Sequence, residues 1–155
     1  MENSMIILAV VVAALFIIPI VIASRARASK AKMQVKKFKL AAEKNQVHLS
    51  ENEICTIYGI GIDQQAKTLF YAKGANFDEA VEVIALSSVR KAEINKITKS
   101  VESLNSIERI EIRIIFKDSG QTHRFLEFFH VDNHRQLEDE LVMAERWVKI
   151  INDRL

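Results

Sequence analysis

Two histidines of this chain have the spacing of possible metal ligands. His130 and His134 lie four residues apart, which suits a zinc ion bound on one face of a helix. Asp132 and Asn133 are good helix N-caps, and a helix that begins between the two histidines destroys that geometry. The sequence near them contains no second cluster of Cys, His or Asp. We therefore predict no metal ligands and no cofactor.

Catalytic and nucleotide-binding patterns are equally weak. His123 and Glu127 could share a face of one predicted strand as an acid–base pair, but exposed polar residues on strands are far more often solvated. Gly59-Ile60-Gly61 lacks the third glycine of a dinucleotide-binding loop, and no predicted helix follows it. Cys55 is the only cysteine, so no intramolecular disulfide can form, as expected in a reducing compartment. We predict no catalytic residues and no enzymatic activity.

The charges are divided unevenly along the chain. Glu2 is the only charge in residues 1–24, whereas residues 24–44 carry eight basic residues and one acid. The remainder has a net charge of −4. The sequence pI of about 8.7 therefore reflects one basic junction and not a basic domain. This distribution predicts no nucleic-acid binding.

Residues 5–23 form an uncharged run of nineteen residues without a hydrogen-bonding side chain. As a helix this run would rise roughly 28 Å, close to the hydrocarbon thickness of a bilayer. We therefore predict a single transmembrane helix within residues 1–24. The cations follow the run from Arg25 onward, so the positive-inside rule places the amino terminus outside the cell membrane and the remaining chain in the cytoplasm. A cleaved secretory signal is the alternative, but its cations would precede the apolar run.

Residues 25–46 lack proline and glycine and are predicted to continue the helix as a basic connector. In a helical projection the lysines surround the axis, and the apolar residues do not gather on one face. This pattern favours a solvated stalk over a helix lying in a membrane surface. The cations nearest the apolar run are candidate contacts to acidic lipids: Arg25, Arg27, Lys30 and Lys32.

Residues 47–155 have the alternating pattern of an α+β domain. Six strands are predicted, at residues 54–62, 68–73, 81–86, 89–97, 107–117 and 122–129. At this spacing they predict an antiparallel sheet that curls into a partly open barrel. After Asn133 the apolar residues recur at helical spacing and predict an amphipathic helix of roughly twenty residues that closes the chain. Trp147 is its largest predicted anchor.

Two passages carry a resemblance to a known family. Residues 84–94 are similar to an apolar, polar-pair, apolar passage of bacterial pleckstrin-homology-like domains, and Trp147 lies mid-helix as in that superfold. The resemblance covers residues 50–155 and implies seven strands before the final helix. Only six strands are predicted above, so the resemblance implies one more, in residues 47–50 or 98–106.

The resemblance also bears on function. Members that bind phosphoinositides use a basic cluster between the first two strands, whereas residues 63–67 of this chain offer one lysine beside an aspartate. Head-group binding there is not expected. We predict a membrane-anchored, non-catalytic binding or scaffold module that docks a protein partner or the lipid bilayer. Two alternatives stay open: a ligand-binding or enzymatic domain with its site in a pocket of the sheet, and an accessory subunit of a larger membrane complex.

Overall fold

The computed structural model contains a long helix, seven strands and a final helix. It describes the backbone of residues 2–55, 58–101, 104–132 and 139–155, and the side chains of residues 15–19, 21–55, 58–99, 106–132 and 139–155. The elements in chain order are α1 (Glu2–Lys44), β1 (Glu51–Ile54), β2 (Tyr58–Asp63), β3 (Thr68–Lys73), β4 (Ala80–Ala85), β5 (Val89–Val101), β6 (Leu104–Phe116), β7 (Arg124–His130) and α2 (Glu140–Asn152).

Helix α1 does not support the predicted membrane span. Among the residues that the structure describes, no helix is both long and apolar enough to cross a membrane. This finding overturns the prediction of a single-pass protein of the cell membrane with an outside amino terminus and a cytoplasmic domain.

The strands form two separate antiparallel sheets. Sheet I contains β1, β2, β3 and β4 in that order, and sheet II contains β5, β6 and β7. A 3₁₀ turn at Leu86–Ser88 carries the chain from β4 to β5, and these two strands do not pair. Neither sheet closes on itself. The α+β class is confirmed, but the prediction of one curled sheet or partly open barrel is wrong.

The first predicted strand is in fact two strands. Residues 54–62 contain the end of β1 and most of β2, and the backbone N–H of Cys55 donates to the carbonyl of Tyr58 at 2.8 Å to close the hairpin. The seventh strand is therefore β1, outside both segments in which we sought it. Of the segment 98–106, residues 98–101 belong to β5 and residues 104–106 to β6, and the remaining two lie outside the described residues.

The main core lies between the two sheets and α2. Its largest fully buried side chains include Trp147 of α2, Tyr58 of β2 and Phe128 of β7. Helix α2 covers residues 140–152, and the part of the predicted helix that contains Asn133 and Leu137 lies outside the described residues. Trp147 is 1% exposed and lies where the amphipathic pattern places an anchor.

A second core lies on the opposite face of sheet I, beneath the end of α1. Phe38 and Ala42 of α1 are fully buried there against Phe70 and Ala72 of β3 and Phe77 of the following loop. Helix α1 continues through the connector, as predicted. Its last turns are part of the folded body, however, and not a solvated stalk.

Candidate functional site

The histidines do not assemble a metal or catalytic site in the described part of the chain. The Nε2 atom of His130 lies 3.3 Å from Nη2 of Arg109, and its Nδ1 atom lies 3.2 Å from the backbone N of Asp132. His134 falls outside the described residues. Within residues 2–55, 58–101, 104–132 and 139–155, no group of three His, Cys, Asp or Glu side chains could hold a metal ion.

The structure does not show His123 and Glu127 as an acid–base pair. His123 precedes β7, which begins at Arg124, and its side chain is exposed. Glu127 instead pairs with Lys73 of β3, whose Nζ lies 2.5 Å from Oε1. Its backbone carbonyl accepts the hydroxyl of Tyr71 at 2.6 Å. Glu127 thus connects the two sheets.

The Gly59 and Gly61 pair serves packing. A Cβ atom at Gly59 would lie 2.5 Å from Cε2 of Phe38, and one at Gly61 would lie 2.8 Å from Cδ2 of Leu49. Both positions are occupied by glycine because α1 and the segment after it approach β2 closely. The two glycines thus accommodate neighbouring side chains of the protein.

The outer face of sheet II carries cross-strand ion pairs. Glu93 of β5 contacts both Arg113 of β6 and Lys91, and the Arg113 guanidinium holds the pKa of the Glu93 carboxyl below its ordinary value. Next to them Glu111 accepts hydrogen bonds from Asn95 at 3.0 Å and from Arg109 at 3.2 Å. The charges of Lys91, Glu93, Arg109, Glu111 and Arg113 are thus paired with opposite charges, which is the arrangement of a structural surface.

The space between the sheets is filled by side chains. Neither His123 nor His130 lines any of five surface cavities that border described residues. The most voluminous of these five, about 530 Å³, lies at the end of α2 between Lys67, Leu86 and Arg154. No histidine, cysteine, serine or threonine lines it.

Helix α1 exposes a continuous apolar surface before its basic residues. Six large apolar side chains between residues 15 and 22 are 38% to 70% exposed: Leu15, Phe16, Ile17, Ile18, Val21 and Ile22. Because they follow one another along the helix, they surround its axis. No side chain of the described domain covers them. We call these six residues the apolar collar.

The four predicted basic residues follow the apolar collar on the same helix. Arg25, Arg27, Lys30 and Lys32 are all exposed, and the structure shows no ion pair between them and a described residue. Arg27 and Lys30 line a groove of about 340 Å³ between α1 and β1. Arg25 and Lys32 are not part of that lining.

A second exposed apolar surface lies on β4, which the sequence analysis did not identify as a site. Val81 and Val83 are 39% and 47% exposed on the outer edge of sheet I. Alternation in residues 81–86 predicted the strand. It could not reveal that the strand lies at an edge, because edge position depends on how the sheets are assembled.

Comparison of the chain with known protein families, curated proteins and solved structures found no match. The resemblance to pleckstrin-homology-like domains therefore stays a prediction.

Proposed function

We propose that this protein is a non-catalytic docking module and that a protein partner covers the apolar collar of α1. The exposure of the collar is the observation that carries this proposal. Contiguous apolar patches of more than a few hundred Å² are rare on isolated proteins and usually mark an interaction site. A helix that is apolar all round is normally buried. The collar is thus the surface that most requires a partner.

The chemistry around the collar restricts the kind of partner. Arg25, Arg27, Lys30 and Lys32 follow it within three helical turns and have no described counter-ion. A partner that encloses the collar in an apolar groove and places acidic side chains at one end would match this order of residues.

The attachment of α1 to the domain supports a docking role. Phe38 is fully buried, with its ring centroid 5.3 Å from that of Phe70 and 5.1 Å from that of Phe77. The helix therefore extends the collar away from a fixed base. The filled space between the sheets and the engagement of Glu127 by Lys73 favour docking over the enzymatic alternative.

Site-specific photocrosslinking in cells tests this proposal. A photoreactive phenylalanine analogue is placed at Phe16, Ile18 or Ile22 of the full chain, and at Phe125 as a control. Phe125 is 49% exposed on β7, so it matches the collar in exposure but not in location. We expect a discrete adduct that contains a second polypeptide at the collar positions and not at Phe125. The proposal fails if the collar positions give no protein adduct above the Phe125 background.

A charge reversal tests whether the basic residues contact acidic side chains of the partner. The double variant Arg27→Glu/Lys30→Glu is expected to lower the crosslinking yield at Ile18 several-fold, because the acidic partner surface would then be repelled. Replacement by Arg27→Lys/Lys30→Arg preserves both charges and should restore the yield.

A further inference from the structure

We propose that β4 is a self-association edge, at which two copies of the chain pair antiparallel and join their four-stranded sheets into one of eight strands. This inference concerns a strand that contains none of the collar residues, and it does not rest on the proposed function.

The backbone of β4 offers free hydrogen-bonding groups at its outer edge. The N–H of Leu86 donates to the carbonyl of Lys67 at 2.8 Å, and Leu86 and Lys67 continue the register in which Leu69 pairs with Ile84. In an antiparallel ladder, residues alternate between bonding toward one neighbour and bonding away from it. The peptide groups of Val81, Val83 and Ala85 therefore point away from β3. The Ala85 carbonyl accepts the Ser88 hydroxyl at 2.7 Å, and a carbonyl oxygen can accept a second hydrogen bond. In the described part of the chain, β4 has no second strand neighbour that could accept them.

The side chains of β4 continue a surface that α1 covers elsewhere. Val81 and Val83 pair with Ala72 and Phe70 of β3, which are buried beneath α1. The two valines lie on the same face but remain 39% and 47% exposed. The apolar face of sheet I that α1 buries at β3 thus continues onto β4, where it is exposed.

Beta-sheet edges are commonly protected by lysine, proline, bulges or inward-pointing charges. Strand β4 contains no lysine or proline, and its pairing with β3 runs without a bulge. Its one charge is Glu82, which lies 3.4 Å from the guanidinium Nε of Arg124 on β7. This ion pair neutralises the one charge within the strand.

The strand is complementary to a copy of itself. An antiparallel two-fold pairing centred on Val83 places Val83 opposite Val83 of the second copy and Val81 opposite its Ala85. The peptide groups of Val81 and Val83 and the N–H of Ala85 are then used in each copy, and the Ala85 carbonyl accepts a second hydrogen bond beside that from Ser88. A shift that centres the pairing on Glu82 would place two like charges directly opposite each other, which destabilises strand pairs. The use of the outward peptide groups favours a second copy of the chain as the partner of β4. The repulsion between two Glu82 side chains favours Val83 as the centre of the pairing.

Disulfide trapping tests both the partner and the register. In the full chain, Val83→Cys places two thiols opposite each other, with a Cα separation of about 5.5 Å, within the range that a disulfide spans. Ala85→Cys is the matched control, because it would face Val81 of the second copy and not another cysteine. Both variants retain Cys55, and the unmodified chain gives the background from that residue.

After mild oxidation we expect Val83→Cys to form reducible dimer of twice 17.7 kDa at about fivefold or more the yield of Ala85→Cys. Equal yields from the two variants would overturn the proposal. So would a disulfide from position 83 to a different protein. Circular dichroism of each variant confirms that the fold is retained.

A charge at the centre gives an independent measurement. Val83→Lys is expected to weaken the dimer by roughly fivefold or more in analytical ultracentrifugation, because it places two lysines opposite each other. Phe125→Lys is the control on the exposed face of β7. If the chain dimerises through the collar instead, Val83→Lys leaves the mass of the dimer unchanged. That result would contradict pairing through β4.

Discussion

Gly59 decides how closely α1 can approach sheet I. Its missing Cβ leaves the space that the Phe38 ring occupies, and Phe38 in turn contacts Phe70 and Phe77. The second core is therefore organised around one aromatic ring inserted against one glycine. A side chain at this position would move either the ring or the strand.

Gly59→Ala is predicted to lower the free energy of unfolding by about 1–3 kcal/mol, because a methyl group 2.5 Å from the ring forces the packed core apart. Gly120→Ala is the control, since the nearest atom to its Cβ would be the Asp118 Oδ1 at 3.4 Å. Urea unfolding followed by Trp147 fluorescence measures both. Equal midpoints for the two variants would show that α1 does not depend on the glycine.

Asp63 joins the segment after α1 to the β2–β3 hairpin. Its carboxylate accepts the backbone N–H of His48 at 3.0 Å and that of Ala66 at 2.9 Å. The hydrogen bond from Ala66, followed by the one from His48, lowers the pKa of the Asp63 carboxyl below its ordinary value. The ionised form is thus the one that the fold prefers.

A pH-dependent difference in stability should follow from Asp63. A carboxyl whose pKa is lower in the folded state stabilises the protein above its unfolded pKa of about 3.9, and this contribution is lost as the pH falls through the lower folded value. Asp63→Asn is expected to be less stable than the unmodified chain at pH 7, and the gap should narrow below about pH 4. Urea midpoints measured across pH 3–7 check this, with the exposed Asp78→Asn as control. A gap that does not change with pH would contradict the assignment.

At the scale of elements, two acidic residues of β1 accept hydrogen bonds from α2 and the residues that follow it. Glu53 accepts the indole N–H of Trp147 at 2.9 Å and also contacts Arg146, while Glu51 pairs with Arg154 at 2.7 Å. Trp147 therefore combines a large buried surface with a charge-assisted hydrogen bond. The amphipathic pattern predicted the first contribution, whereas the second required the strand β1 that the pattern did not reveal.

Two substitutions separate the contributions of Trp147. Trp147→Ala is expected to cost roughly 3–5 kcal/mol, as for other buried aromatic side chains. Trp147→Phe retains most of the apolar volume, and the loss of its bond to Glu53 should cost about 1–3 kcal/mol. Thermal and urea unfolding monitored by circular dichroism compare the two. If Trp147→Phe and Glu53→Ala together cost the sum of their separate effects, the hydrogen bond contributes nothing.

The elements that could be predicted are those with a strong local pattern. Alternating isoleucines predicted residues 107–117 as a strand, and β6 covers Leu104–Phe116. The β1–β2 hairpin was missed because the alternation continues through the turn at Cys55, and none of the residues from Cys55 to Tyr58 is a glycine, proline, asparagine or aspartate. The chain reversal there places Ile54 in the second core and Tyr58 in the main core.

At the scale of the whole molecule, the candidate surfaces were only partly predictable. The composition of residues 5–23 identified an apolar segment that needs an apolar environment, and the collar lies within it. The assignment of that environment to a membrane is not supported by the structure. Strand β4 lies at an edge because it does not pair with β5, which belongs to the other sheet. No local sequence pattern predicts that separation into two sheets. Phe38 was missed for the same reason, because its burial depends on Gly59 and Phe70, far from it in sequence.

The contacts between α2 and β1 also affect the order in which the parts of the domain can fold during synthesis. Helix α1 and the four strands of sheet I follow one another along the chain, so their contacts are short in sequence and can form early. Glu53 and Trp147 are separated by 94 residues. The inner face of sheet I, with Tyr58, thus stays partly open to water until Trp147 has been made. A growing chain that has not reached Trp147 therefore exposes apolar surface and is prone to aggregation.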